Sequence, residues 1–137
     1  NPEETTKTIN EDGWLMTGDV GWMNEEGYIQ ITDRMKDMII VGGFNCYPAE
    51  IENMLCSLEG ISQAAVIGVA DERMGEVPSA WIIPGPGAAL NEKEIIKWCR
   101  ENMANYKAPR EVHLVESLPT NASGKVLKNE LKAMAAR

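Results

Sequence analysis

Histidine is almost missing from this 137-residue chain, and His113 stands alone. A metal centre built on imidazole ligands is therefore excluded, and no metal-ligand set is read from the sequence. Aromatic residues make up 6%, with Phe44 the single phenylalanine. No apolar run approaches the roughly 20 residues of a membrane span, and no signal peptide is visible, so no transmembrane segment is expected. Cys46, Cys56 and Cys99 form an odd set without paired spacing, which points to reduced thiols and a cytoplasmic setting. Positive charge is scarce: 13 Lys and Arg against 21 Asp and Glu give a net charge of −8. That balance argues against nucleic acid as a partner. An initiator methionine is also lacking, since the chain opens at Asn1-Pro2; a piece of a longer protein is expected.

What is present reads as globular: 44% hydrophobic and 25% charged residues, with no low-complexity run. The length suits one domain, or one domain plus a fragment of another. Charge is uneven. Residues 1–30 carry Glu3, Glu4, Glu11, Asp12, Asp19, Glu25 and Glu26 against Lys7 alone, whereas residues 107–137 carry six cations against three glutamates. The basic end is the natural place for a phosphate-bearing ligand.

Residues 1–12 are polar and read as a loose lead-in. Val20 to Met23, a turn at Asn24 to Gly27, and Tyr28 to Thr32 read as strand, turn, strand, with Ile29 and Ile31 on one face. Met38 to Val41 is a short apolar run closed by Gly42-Gly43. Pro48 suits a first helical position, and Ile51, Met54, Leu55 and Leu58 follow helical spacing up to Gly60. Ala64 to Val69 and Ala80 to Ile83 read as buried strands, the second stopped by Pro84-Gly85-Pro86-Gly87. Asn91 with Glu94 resembles a helix cap ahead of Ile95, Ile96, Cys99 and Met103. Val112 to Val115 reads as a strand with a structural His113, and Lys128 to Ala135 as a final helix. The mixture lacks a regular strand–helix–strand repeat, which favours an α+β fold: a small mixed sheet with packed helices, preceded by a β-hairpin.

Three segments carry chemistry. Pro119-Thr120-Asn121-Ala122-Ser123-Gly124-Lys125-Val126-Leu127-Lys128 sets one lysine in a loop of small, turn-prone residues. Gly124-Lys125 fails the triphosphate-loop pattern, because Pro119 replaces a needed glycine and Val126 a needed Ser or Thr. Asn121-Ala122-Ser123 is a glycosylation sequon without meaning for a cytosolic chain. Thr17-Gly18-Asp19 holds a carboxylate able to accept two donors, or else a turn aspartate capping its own backbone. The third segment runs Asp33-Arg34-Met35-Lys36-Asp37-Met38-Ile39-Ile40-Val41-Gly42-Gly43-Phe44-Asn45-Cys46-Tyr47-Pro48-Ala49-Glu50-Ile51-Glu52. Its glycines permit a tight turn, and its Arg34 either offers a planar donor set or pairs with Asp33 or Asp37.

Together, in this order and spacing, the three segments resemble the adenylate-forming family of acyl-CoA synthetases, luciferases and peptide-synthetase adenylation domains, the fatty-acyl-CoA ligases most of all. The resemblance covers essentially the whole chain. It implies that residues 1–34 are the tail of a large N-terminal adenylation domain and residues 35–137 a mobile C-terminal domain. ATP, CoA and a carboxylic acid, a fatty acid by the nearest resemblance, would be the ligands, with Mg2+ bound by residues outside this chain. Lys125 would be catalytic, bridging carboxylate and phosphate oxygens. Asp19 and Arg34 would bind the nucleotide ribose or phosphate region, and Lys36 would be the hinge. Gly42, Gly43, Phe44 and Asn45 would line the pantetheine tunnel in the second half-reaction. Tyr106 would stack on the CoA adenine with Met74 opposite, or else simply pack. Lys107 and Arg110 would meet CoA phosphates, while Ala108 stands where some relatives have arginine. The upstream domain would be the partner, and this chain by itself would be inactive. Two alternatives stay open: an adenylation domain for an amino or aryl acid, and a non-catalytic interaction module keeping the fold.

Overall fold

The computed structural model describes residues 1–136. It separates into two compact units, Asn1–Lys36 and Asp37–Arg137. The first unit opens with α1 (Pro2–Thr8), where a loose lead-in was expected. The signals for it are local. Asn1 caps the Glu3 amide, proline takes the first turn, and Glu3 and Glu4 precede Lys7 in the order the helix dipole favours. Strands β1 (Asp19–Met23) and β2 (Ile29–Arg34) then form an antiparallel hairpin with a bulge between Val20 and Gly21. Its turn is closed by the Asn24 carboxamide, which accepts from the Glu26 and Tyr28 amides. Gly21 is required there, since a Cβ would lie 2.7 Å from the Gln30 carbonyl oxygen. Trp22, Met23, Ile29 and Ile31 are all exposed.

The second unit is one mixed sheet with helices on both faces. Short strands β3 (Ile39–Val41) and β4 (Phe44–Cys46) form a hairpin, followed by α2 (Pro48–Cys56), with Pro48 in the first helical turn. Strands β5 (Ile61–Asp71) and β6 (Gly75–Pro84) make a long antiparallel pair. Helix α3 (Glu92–Asn102) crosses over to β7 (Glu111–Leu114), which runs parallel to β6. Asn91 caps α3 by accepting from the Lys93 and Glu94 amides. The chain ends in α4 (Lys128–Ala135). Sheet order is β4-β3-β6-β5, with β7 also on β6.

Alternation along β5 and β6 splits their side chains between two cores. Val66, Ala80 and Ile82 pack with Ile51 and Leu55 of α2 and Ile95 and Cys99 of α3. Ala65, Ile67 and Trp81 pack with Leu131 of α4. Burial on both faces explains why β5 reads as a near-continuous apolar run rather than an alternating one. No disulfide links the described cysteines, and burial pushes the Cys99 thiol up to about 11. His113 lies tilted against Trp81 with ring centroids 4.5 Å apart, the structural placement expected for it. Leu55 is fully buried. Leu55→Ala is expected to cost about 2–5 kcal/mol of stability, read as a lowered denaturation midpoint of the second unit.

Candidate functional site

Asp19 and Arg34 meet across the hairpin of the first unit. They are register partners on β1 and β2, and the Arg34 Nε donates to Asp19 Oδ1 at 3.0 Å. The sequence alternatives for Arg34 were pairs with Asp33 or Asp37. The guanidinium instead selects Asp19, while Asp33 takes the Arg34 backbone amide at 2.7 Å. Thr17 Oγ1 accepts the Asp19 amide, and the Met35 amide returns to the Gly18 carbonyl. Two sequence-predicted residues are thus brought into one polar contact, with the Asp19 side chain 29% exposed. Lys36 lies in the exposed turn after β2, at the division between the two units.

A second cluster forms around the β3–β4 hairpin. Gly42 and Gly43 both have positive φ, 57° and 88°, as a two-residue hairpin turn demands. The Gly42 amide donates to the Met74 carbonyl at 2.8 Å, and a Cβ on Gly42 would sit 2.5 Å from Met74 Cε. Met74 is presented by Asp71, whose Oδ1 accepts from the Arg73 and Met74 amides. Those bonds, the Met74 one first, hold the Asp71 carboxyl below its ordinary range, and the nearby Arg110 and Arg73 charges add to it. Phe44 stacks on Tyr106 at 5.1 Å, so one face of the Tyr106 ring is already covered. Lys107 bonds Glu50 of α2 at 2.6 Å and lies 5.7 Å from the Tyr106 ring centre. Gly42, Phe44, Met74, Tyr106 and Lys107 therefore form one patch. Arg110 is exposed and Asn45 lies on β4 opposite Ile40.

Lys125 stands apart, in the loop between β7 and α4. A Thr120–Val126 bridge closes that loop. Asn121 Oδ1 accepts from the Ser123 amide, the Ser123 hydroxyl and the Lys125 amide, and the Asn121 amide donates to the Lys125 carbonyl. The Lys125 backbone is thereby clamped on both sides by Asn121. Its side chain is exposed, and no described carboxylate pairs with it. The sequence showed Asn121 only as a sequon, although an asparagine four residues before a loop lysine is a legible turn signal. No described group of three His, Cys, Asp or Glu residues is arranged to hold a metal ion. No described helix is long and apolar enough to cross a membrane.

The class of the chain follows from its family match. The profile of the AMP-binding enzyme C-terminal domain matches residues 50–125. This chain belongs to that family, within the adenylate-forming superfamily. It is 57% identical over 96% of its length to a 3-[(3aS,4S,7aS)-7a-methyl-1,5-dioxo-octahydro-1H-inden-4-yl]propanoyl:CoA ligase of Rhodococcus jostii, and covers 26% of that protein. It is 42% identical over 98% of its length to a 2-succinylbenzoate–CoA ligase of Bacillus cereus, covering 27%. ATP-bound MatB from Rhodopseudomonas palustris superimposes with a TM-score of 0.91 at 38% identity, over 97% of this chain and 26% of that one. The chain spans about a quarter of the length of the curated relatives it matches.

The hydrogen bond to Glu50 raises Lys107 above its ordinary 10.5, against a smaller opposing effect of burial. A cation raised in this way adds stability that is fully present below 10.5 and is lost as pH climbs through the higher folded value. An NMR titration of the Lys107 side chain should give a midpoint above 10.5, and Glu50→Gln should bring it back down.

Proposed function

We propose that this chain is the C-terminal part of an ATP-dependent acid–thiol ligase, which makes an acyl-adenylate and passes the acyl group to CoA. The observation that carries the proposal is the Lys125 loop, a clamped backbone presenting an unpaired ammonium, in a chain whose relatives are CoA ligases. In the first half-reaction a substrate carboxylate oxygen attacks the α-phosphorus of ATP, and the α–β bond breaks to release pyrophosphate. Two anions must approach, and Lys125 donates to oxygens of both, lowering the cost of the charge that builds between them. In the second half-reaction the CoA sulfur attacks the adenylate carbonyl and AMP leaves, the thiol proton passing to solvent.

Asp19 and Arg34 are proposed to hold the ribose. Arg34 engages Asp19 Oδ1 through Nε, so the second carboxylate oxygen of Asp19 and the outer guanidinium donors stay available for a ligand. Lys36 is proposed as the hinge between an N-terminal domain ending near residue 34 and the mobile domain from residue 35 onward. Support comes from its exposed turn and from the division of the chain after it. The exposed Trp22, Met23, Ile29 and Ile31 support a hairpin that completes its core against the rest of an N-terminal domain. The Gly42–Asn45 turn and Met74 are proposed to line the CoA channel, with Tyr106, Lys107 and Arg110 beside it. Adenine stacking on Tyr106 uses the face that Phe44 leaves open, or displaces Phe44. Mg2+, which neutralises phosphate charge when bound, finds its ligands outside this chain.

The acid is proposed to carry a ring, since both curated relatives above are named for ring-bearing acids. A straight fatty chain is the second reading, supported by the resemblance of the Phe44-Asn45 form of this turn to that of fatty-acyl-CoA ligases. Exchange of pyrophosphate into ATP, driven by octanoate, hydrocinnamate or 2-succinylbenzoate in the full-length protein, separates the two.

Lys125→Ala in the full-length protein should cut acid-dependent pyrophosphate exchange by roughly 10²–10³, while preformed acyl-adenylate is still converted to acyl-CoA. Unchanged exchange would favour the non-catalytic module. The isolated 137-residue chain, run alongside, should form no acyl-CoA. Lys36→Pro should slow thioester formation more than adenylation, because proline fixes φ; equal loss in both steps would remove the hinge.

A further inference from the structure

Lys128 breaks a local rule. It is the first residue of α4, where the helix dipole disfavours a cation, and Leu127 before it supplies no side-chain cap. The Glu52 carboxylate offsets this. Lys128 Nζ lies 2.8 Å from Glu52 Oε1, with the two side chains only 18% and 22% exposed. The same Oε1 accepts the Val66 amide at 2.8 Å. Val66 is fully buried and sits on β5, which ends the sheet on the side away from β4. The carboxylate on α2 is therefore fixed by a rigid strand, and it fixes the start of α4 in turn.

From that fixed point the backbone runs straight into the Lys125 loop. The Leu127 amide bonds the Pro119 carbonyl, Val126 bridges Thr120, and Asn121 holds Lys125 from both sides. Every residue between Lys128 and Lys125 is thus tied to the stem. We propose that the Lys128–Glu52 pair is a positioning device for the adenylation lysine, anchoring its loop to the edge of the sheet so that only the Lys125 side chain is left to move. A role for Lys128 as a second phosphate ligand fits poorly, since its ammonium is engaged by Glu52 and its side chain is mostly buried. The inference rests on the proposed adenylation role of Lys125.

The test uses the full-length protein, with whichever acid of the panel above gives the fastest exchange. Lys128→Met keeps the alkyl stem and removes the charge. It should slow pyrophosphate exchange about tenfold through kcat, since small displacements of a reacting group are costly, and leave the KM for ATP unchanged. Thioester formation from preformed adenylate should stay within about twofold, and Lys128→Arg should restore exchange, because the ion pair is re-formed. Glu52→Gln should match Lys128→Met, with the double variant no slower than either, as expected of one shared interaction. Hydrogen exchange at the Gly124, Lys125 and Leu127 amides should speed up in Lys128→Met and return to normal in Lys128→Arg. Normal pyrophosphate exchange in Lys128→Met, or a loss in both half-reactions that arginine does not repair, would overturn the proposal. If Lys125→Ala itself leaves pyrophosphate exchange intact, the adenylation reading fails instead. The amide protection of the loop then still shows whether the pair tethers it.

Discussion

Strand β6 has partners along both edges, and the geometry of the second unit depends on that constraint. β5 occupies one edge from Gly75 to Pro84. The other edge is shared, with β3 meeting it at Gly75 and β7 running from Ser79 to Ile82. Pro78 falls in the gap between them. Its carbonyl accepts the Arg110 amide, so the edge where its missing N–H would point is the shared one, and the ladder to β5 loses nothing. This is how a proline survives inside a central strand. The same arrangement brings the Gly42 turn and the Tyr106–Arg110 segment to one edge of one strand, although more than sixty residues separate them in the chain.

Helix α2 sorts the lysines. Glu50 binds Lys107 and Glu52 binds Lys128, each at short range and with the lysine mostly buried. Lys125, three residues before Lys128, has no such partner. Its ammonium can meet an anion without first giving up a buried ion pair, whose breaking leaves an uncompensated charge. Composition could not separate these three lysines, because a basic C-terminal end looks the same whether its charges are committed or free.

Much of the fold was legible, because the signals were local. Proline at the start of α2, Asn91 with Glu94 at α3, and apolar runs in β5 and β6 each act within a few residues. The strands were read short because their ends are set at a distance. Asp71 shapes the turn that lets β5 and β6 reach their full lengths, and the Glu52 bond to Val66 crosses from a helix to a strand edge. Helix α1 was missed despite its cap, since a polar segment without an apolar stripe gives no periodicity to detect. At the site, the motif residues stood out one at a time, but their pairing did not. Asp19 with Arg34, Phe44 on Tyr106, and Lys107 on Glu50 are long-range contacts that no spacing encodes.

Those contacts bear on how the two proposed half-reactions would share one small domain. Adenylation needs a cation at the phosphates, and thioester formation needs a narrow channel for a thiol. In the proposed ligase the two jobs would fall on different loops of the second unit, Asn121–Val126 and Gly42–Asn45, attached to different elements, β7–α4 and β3–β4. Each loop is braced, one internally by Asn121 and the other by the Gly42–Met74 bond to the β5–β6 turn. Braced loops on a stiff sheet keep their shape when the sheet moves as a body. Under the proposed function, the change between reactions would then be confined to a few backbone torsions outside the sheet, and the exposed turn at Lys36 is where the chain leaves one unit and enters the other. Looser loops would have to be reordered at each turnover, at an entropic cost that a hinge avoids.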